Sequence, residues 1–367
     1  MGDLLARAEQ VGEELRALAR EDGRINRPLV RALAEHGLLD LVFVRDQAGY
    51  RPVTAMVLCL LREGLARHCT EAETAFAVQG LGSYPILSAG RPEVVDEWIP
   101  RVAAGEAVAA FALTEPGAGS DVASLALQAT PDGNGYRLNG EKVYISNAPD
   151  ADVYTVFART GDAGSRGITA FCVPGSSPGL SGESIPLLSP HPIGRLVFDH
   201  VFVPRTHVLG EVGRGMRVAM GTLNLFRPSV GAFAVGMGQA ALDAAVAYAG
   251  AREAFGKRLH DFQAVSHSLA EVATRLKAAR LLVHDAAAAY DEGRSEVASA
   301  AAMAKLFATE TAQQAVDAAI QVHGARALER GHLLEHLYRE VRAPRIYEGA
   351  SEVQREIIAR SLFPGQR

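Results

Sequence analysis

The stretch Arg345-Ile346-Tyr347-Glu348-Gly349-Ala350-Ser351-Glu352 holds a carboxylate between an aromatic and a glycine. Apolar residues precede it, and Val353 to Arg360 follows with helical spacing, so Glu348 stands at a loop-to-helix junction. A carboxylate enclosed beside Ile346 and Tyr347 loses hydration and its pKa rises. Such a group is a base fit for a carbon-bound proton, for which a solvated glutamate is too weak. Taken alone, the stretch reads more simply as a surface glutamate ahead of a helix, near its positive end.

Four further groupings carry usable chemistry. Phe111 to Asp121 contains Thr114, Gly117, Gly119 and Ser120 in a loop whose amides can approach a phosphate or a polar ring. Tyr144 and Ser146 end an expected strand two residues apart, which points a stacking aromatic and a hydroxyl to one face. Arg252, Phe255 and Gln263 lie in a link between long helices, where a guanidinium, an aromatic and an amide can hold a diphosphate and an adenine. Gln321 and His323 end another helix at Gly324, and Asn224 and Arg227 form a polar pair near the start of a long apolar helix. Each alone also reads as an ordinary turn, half-buried strand, solvated charge run or helix end.

The elements that must position these groups change character twice. Residues 1 to 107 read as helical: Leu4, Ala8, Val11, Leu15 and Leu18 share one face, Asn26-Arg27-Pro28 reads as a cap opening a helix closed by His36-Gly37, Val53 to Arg67 and Glu71 to Leu81 are two more runs, and Pro92 starts another ending near Trp98 and Pro100. From 108 to 212 turn signals punctuate β-branched runs. Strands are expected at Tyr136–Leu138, Val143–Ser146, Val153–Arg159, Ile168–Val173 and Leu196–Val203, with hairpin turns at Asp132-Gly133-Asn134-Gly135 and Asn139-Gly140. Over 213–367 helix returns, in long segments at Met216–Ala249, Phe262–Asp291 and Glu296–His323 and shorter ones at Leu333–Arg339 and Glu352–Leu362. The fold class is mainly α with a central β-domain, a small barrel or sandwich.

The 367 residues are 48% hydrophobic and 22% charged with formal net charge -5, which fits a soluble globular protein and disfavours a general nucleic-acid surface. Cys59, Cys69 and Cys172 are too few for a disulfide scaffold and lack the close His pairing of zinc sites, so they read as reduced packing thiols, with no metal site. No apolar signal core opens the chain, the position-6 alanine argues against myristoylation, and Val230 to Ala249 is interrupted by Gln239 and Asp243; a cytoplasmic protein with no membrane span is expected.

In order and spacing these groupings resemble the acyl-CoA dehydrogenase family along essentially the whole chain. Leu113 to Asp121 looks like its first signature, and Gln321 through Tyr338-Arg339 to Arg360 like its C-terminal one. The resemblance implies an N-terminal helical domain, a central β-domain and a C-terminal four-helix bundle, in a homotetramer or homodimer. It implies noncovalent FAD and oxidation of an acyl-CoA thioester to its 2-enoyl product. Glu348 matches the base that removes the α-proton while the β-hydrogen passes to the flavin as hydride, and the thioester carbonyl accepts from the base's own backbone N–H and a flavin hydroxyl. Phe111, Leu113, Thr114, Gly119, Ser120, Tyr144, Ser146 and Ser351 match flavin contacts. Arg252, Phe255, Gln263, Gln321 and Gly324 match contacts to FAD diphosphate and adenine across a subunit interface. Ser120, Asn224, Arg227, Tyr347 and Gly349 match substrate contacts, and Gln79 to Pro85 the pocket floor. An electron-transferring flavoprotein is the implied acceptor.

The chain departs from the family pattern at Tyr144 for Trp, Ala350 for Thr, Asn224 for Asp, and at Ala325-Arg326-Ala327 and Leu188 to Gly194. The Asn224 change leaves open a carrier-protein-bound acyl substrate. Glu348 argues against a flavin-dependent monooxygenase on the same fold, and a helical interaction scaffold would require all these groupings to be coincidence.

Overall fold

A computed structural model describes residues 2–46, 49–161 and 164–363; Met1, with the myristoylation question, and 364–367 lie outside the described residues. In chain order the helical N-terminal part comprises α1 (Gly2–Leu15), α2 (Arg27–Glu35), α3 (Leu39–Val42), strands β1 (Phe43–Asp46) and β2 (Gly49–Pro52), then α4 (Ala55–His68), α5 (Thr70–Ala89) and α6 (Pro92–Ala103). The middle part holds β3 (Ala109–Ala112), β4 (Gln128–Asp132), β5 (Gly135–Ser146), β6 (Val153–Arg159), β7 (Ile168–Pro174), β8 (Leu180–Ser184), β9 (Ile193–Pro204) and β10 (Val208–Leu209). After it come α7 (Gly215–Ala251), the short strands β11 (Glu253–Ala254) and β12 (Lys257–Arg258), α8 (Gln263–Asp291), α9 (Val297–His323), α10 (Leu333–Glu340) and α11 (Ser351–Leu362).

By compactness the chain forms two units, which cut across the composition boundaries. The first gathers Met1–Arg16, Thr54–Glu73 and Asn224–Arg367; the second gathers Ala17–Val53 and Thr74–Leu223. The first is helical. Asp291, at the end of α8, accepts from the N–H groups of Ala55 (2.7 Å) and Met56 (3.0 Å), and Thr54 accepts from Val57, so α4 begins on an anion and a hydroxyl. Within this unit α7 packs closely enough that a Cβ on Gly238 would fall 2.6 Å from a Leu276 methyl of α8. By length and apolar composition α7 alone among the described helices could cross a membrane, but 72% of its apolar window is buried.

In the second unit Asn26 caps α2, accepting from Leu29 N–H at 3.2 Å, as its position before Arg27-Pro28 predicts. The β1–β2 hairpin was not legible, because its four-residue strands sit inside a helical texture. Helix α6 runs past Pro100 to Ala103; Val94, Trp98, Ile99 and Val102 form a buried face that outweighs the missing proline N–H. Helix α5 likewise runs past Leu81 to Ala89.

The middle strands form an eight-stranded sheet with the path β10-β7-β6-β4-β5-β9-β8, and β3 lies parallel on β6. Inward residues from β3, β5, β6, β7 and β9, among them Tyr154, Phe171, Leu196 and Phe198, share one core. Asp132 to Gly135 is the expected β4–β5 turn. Asn139-Gly140 is not a turn: it lies within β5 where the register against β9 slips, and Asn139 Oδ1 accepts from His200 N–H at 2.9 Å. The two short runs expected at 136–138 and 143–146 are therefore one strand. The three cysteines are free and buried, and burial pushes the Cys69 thiol up to about 11.

Candidate active site

In the first unit, Ile346 to Ala350 joins a 3-10 turn (Ala343–Arg345) to α11. Glu348 has φ 49° and Gly349 φ 94°, two consecutive left-handed residues. A side-chain-bearing residue held there is strained, so the surroundings must over-determine the turn. They do: Arg227 Nε donates to the Glu348 carbonyl at 3.3 Å, Gln354 Nε2 to the Glu348 and Gly349 carbonyls at 3.3 and 2.8 Å, and Lys305 Nζ to the Gly349 carbonyl at 2.7 Å.

The Glu348 side chain points inward. Its Oε2 is sealed from solvent with no hydrogen-bond partner, and its backbone N–H has no acceptor among the described residues. Burial raises the carboxyl pKa, and the cations Arg62, Arg227 and Lys305 partly oppose the rise. The enclosure does not come from the neighbours expected to supply it. Ile346 is 57% exposed and Tyr347 36%, though the Tyr347 hydroxyl is enclosed, and burial raises its pKa well above the usual phenol value. The cations that face Glu348 come from α4, α7 and α9 instead.

Arg62 and Glu73 form a buried ion pair through Arg62 Nε, and Arg62 Nη1 donates to Ser229 Oγ at 2.8 Å. Asn224, half-buried, accepts from Arg227 Nη1 at 3.3 Å. Lys305 is fully buried, and burial pushes its ammonium down to about 8, with Glu348 opposing the fall. Thus Glu348, Tyr347, Gly349, Asn224 and Arg227 come together. Arg62, Glu73, Lys305 and Gln354 join them without having been singled out. For Arg62 and Lys305 the signal was a charge inside an otherwise apolar helix, Arg62 after Val57 to Leu61 and Lys305 in an alanine-rich run; Glu73 and Gln354, among other polar residues, gave none.

The second unit holds Phe111, on β3, and the loop after it. Lys142, fully buried on β5, donates to Leu113 O (2.9 Å) and pairs with Glu115 Oε1 (2.7 Å). Glu115 also accepts from Leu127 N–H at 3.0 Å and from Ala126 N–H, and Val143 N–H meets Thr114 O at 3.0 Å. This fixes the loop from Leu113 while leaving its outer side open: a Cβ on Gly119 would meet nothing within 4 Å. Tyr144 is 59% exposed with φ 56°, at a slip between Lys142 and Ile145. Burial still alternates there, with Ile145 buried between the exposed Tyr144 and the half-buried Ser146. Gln79, taken as pocket floor, binds backbone: its amide donates to Ala107 O and accepts from Ala109 N–H.

Back in the first unit, β11 and β12 form a tight hairpin whose two turn residues, Phe255 and Gly256, both have positive φ. Phe255 is 97% exposed. Arg252, Gln263 and Gln321 are exposed, and Gly324 ends α9 at φ 67° as its position predicts. Ser351 is buried and donates to Glu310 Oε1 at 2.8 Å.

The side chains read as flavin contacts fit such a ligand. Thr114, Ser120 and Ser146 in the second unit and Arg252, Gln263 and Gln321 in the first make no side-chain hydrogen bond as donors among the described residues. Within the second unit the unused hydroxyls suit a polar ring, and within the first the unused amides and guanidinium suit a diphosphate.

Family models for the acyl-CoA dehydrogenase N-terminal, middle and C-terminal domains match residues 6–106, 110–201 and 213–363. The chain is 35% identical over 344 residues to cyclohexane-1-carbonyl-CoA dehydrogenase of Geobacter metallireducens, covering 93% of this chain and 90% of that one. It is 38% identical over 291 residues to subunit CarC of the caffeyl-CoA reductase–Etf complex of Acetobacterium woodii, covering 77% and 76%. Among solved structures, the glutaryl-coenzyme A dehydrogenase–glutaryl-CoA complex superposes with TM-score 0.92 at 31% identity, covering 99% and 95%. The FAD complex of PigA superposes with TM-score 0.92 at 28% identity, covering 98% and 97%.

Proposed function

The chain belongs to the acyl-CoA dehydrogenase family, and from that premise we propose that Glu348 is the base of an FAD-dependent α,β-dehydrogenation of an acyl-CoA thioester. The observation that carries this reading is the pairing, on one residue, of a sealed, unpartnered carboxyl oxygen with an unoccupied backbone N–H. The carboxyl can take the α-proton. The N–H can donate to the thioester carbonyl as charge builds there, a type of contact worth about 3 kcal/mol per donor. Burial raises the carboxyl pKa and so its strength as a base, while Arg62, Arg227 and Lys305 favour its ionised form and oppose part of that rise.

Bound FAD supplies the acceptor for the β-hydride. Phe111, Leu113, Thr114, Gly119, Ser120, Tyr144, Ser146 and Ser351, with Arg252, Phe255, Gln263, Gln321 and Gly324, are the residues we assign to holding it. Ser120, Asn224, Arg227, Tyr347 and Gly349 are assigned to the substrate. The organisation that goes with this reading is 1–107, 108–212 and 213–367, in a cytoplasmic homotetramer. An electron-transferring flavoprotein is the acceptor, a reading supported by the relative named for an Etf complex.

Anaerobic mixing of the FAD-loaded protein with short, medium, branched and ring acyl-CoAs tests the reading. The flavin absorbance bleaches with at least one class, and Glu348→Gln binds flavin yet does not bleach; bleaching by the variant at the wild-type rate refutes the base. Asn224, an uncharged partner for Arg227, favours a second reading, a carrier-protein-bound acyl group. That reading is supported if only the carrier-bound thioester bleaches the flavin.

A further inference from the structure

Three contacts from one helix converge on the turn that carries Glu348. From α9, Lys305 Nζ donates to Gly349 O at 2.7 Å. Farther along α9, Glu310 takes the two flanks of the turn: Arg345 Nη2 on one side at 2.8 Å and Ser351 Oγ on the other at 2.8 Å. From α11, Gln354 Nε2 adds bonds to both left-handed carbonyls. Lys305 and Gln354 are fully buried, and each side-chain donor is directed at a backbone oxygen of a conformation that a glutamate does not adopt unaided.

We propose that Lys305 and Glu310 of α9, with Gln354, are positioning residues that clamp residues 345–351 and so fix the carboxyl and backbone N–H of Glu348 toward the reacting carbon and carbonyl. This rests on the assignment of Glu348 as the base. It also gives Ser351 a task within the protein, holding the start of α11 to α9. Lys305 does more than hold a carbonyl. Its charge faces Glu348, Arg227, Glu310 and Glu352, while Glu348 itself faces Arg62, Arg227 and Lys305. A cation beside an ionised carboxylate lowers the carboxyl pKa, so its removal raises that pKa. The base acts ionised, hence the acidic limb of the kcat/KM–pH profile moves to higher pH when Lys305 is neutralised.

Lys305→Met and Gln354→Leu separate the two effects in the FAD-loaded full-length protein. Both lower kcat on the order of 10²-fold, the usual penalty for a misplaced reacting group, with little change in KM and with flavin content retained. Only Lys305→Met moves the acidic limb upward; Lys305→Arg keeps the limb near wild type. A kcat within twofold of wild type in both variants overturns the clamp. If Lys305→Met does not fold, Gln354→Leu and Lys305→Arg decide the same question. A second readout needs no turnover: infrared titration of the Glu348 carboxyl, identified by subtracting the Glu348→Gln spectrum, moves to higher pH in Lys305→Met. That shift without bleaching by any thioester keeps the clamp and removes the dehydrogenase reading. Bleaching by wild type with an unmoved titration and unchanged kcat does the reverse.

Discussion

At the scale of single residues, the site is a contest between burial and charge. Desolvation raises the Glu348 pKa, and three cations pull it back without cancelling the rise. A carboxyl whose folded pKa lies above its unfolded value adds stability that is present below about 4.5 and lost as pH rises through the folded pKa. Ionised Glu348 therefore costs stability at neutral pH. Glu348→Gln should melt higher than wild type at pH 7 while losing about 10²–10⁴-fold in flavin reduction, the usual yield of a positioned base; calorimetry and anaerobic stopped-flow measure the two. Arg62 poses the opposite case. Arg62→Met removes one side of a buried ion pair with Glu73, which costs about 3–5 kcal/mol, whereas Arg62→Met with Glu73→Leu recovers most of it. Urea midpoints of the single and double variants test this. The loop-to-helix junction at Glu348 was legible because the aromatic, glycine and helix start around it are local, but its enclosure was not, because the groups that face it come from α4, α7 and α9. Arg62 and Lys305 were not, because a lone charge in a helix looks the same whether it meets water or a carbonyl 44 residues away, as Lys305 meets Gly349.

At the scale of elements, the ends of helices and the open side of a loop carry the proposed chemistry, and the interiors hold them still. Asn26 and Gly324 were readable as a cap and a helix stop because capping is a contact within a few residues. The β-bulge at Asn139-Gly140 was read as a turn because only the partner strand β9 distinguishes the two. The loop after Leu113 shows the cost of holding a flexible segment. Its anchor, Lys142 with Glu115, places two charges in the core, and burial pushes Lys142 down to about 8 against the pull of Glu115. Lys142→Met should cost about 3–5 kcal/mol by stranding Glu115 and should weaken FAD binding, because Leu113 O loses its donor; Glu115→Gln in addition restores stability more than flavin affinity. The depressed lysine pKa makes a signed prediction too. This group's contribution is fully present above 10.5 and lost as pH falls through about 8. The stability difference between wild type and Lys142→Met should therefore grow between pH 8 and 10.5, measured by urea titration.

At the scale of the whole molecule, composition and compactness divide the chain differently. The α-β-α order was legible from texture, since periodicity and turn residues are local properties. The joining of α1 and α4 to the C-terminal helices was not, since it depends on which apolar faces fit; Arg67 of α4, for instance, bonds Glu9 of α1 at 2.6 Å and Asp243 of α7 at 2.6 Å. The assembly expected of the family adds one more level, and the β11–β12 hairpin is where it can be tested. Phe255 is 97% exposed on a backbone with φ 54°. A lone exposed phenylalanine is unremarkable, and the tight turn itself calls for the positive φ; within the chain the ring meets the edge of Phe262 at 6.3 Å between centroids, which leaves most of it for a contact outside the single chain. If that is a second copy and the FAD it helps hold, Phe255→Asp should leave the helical content by circular dichroism unchanged. It should also shift the sedimentation coefficient toward the monomer and lower FAD affinity at least tenfold, because burying an unpaired carboxylate is costly. A variant that sediments as wild type and keeps its flavin on dilution would show that the hairpin serves neither the assembly nor the cofactor.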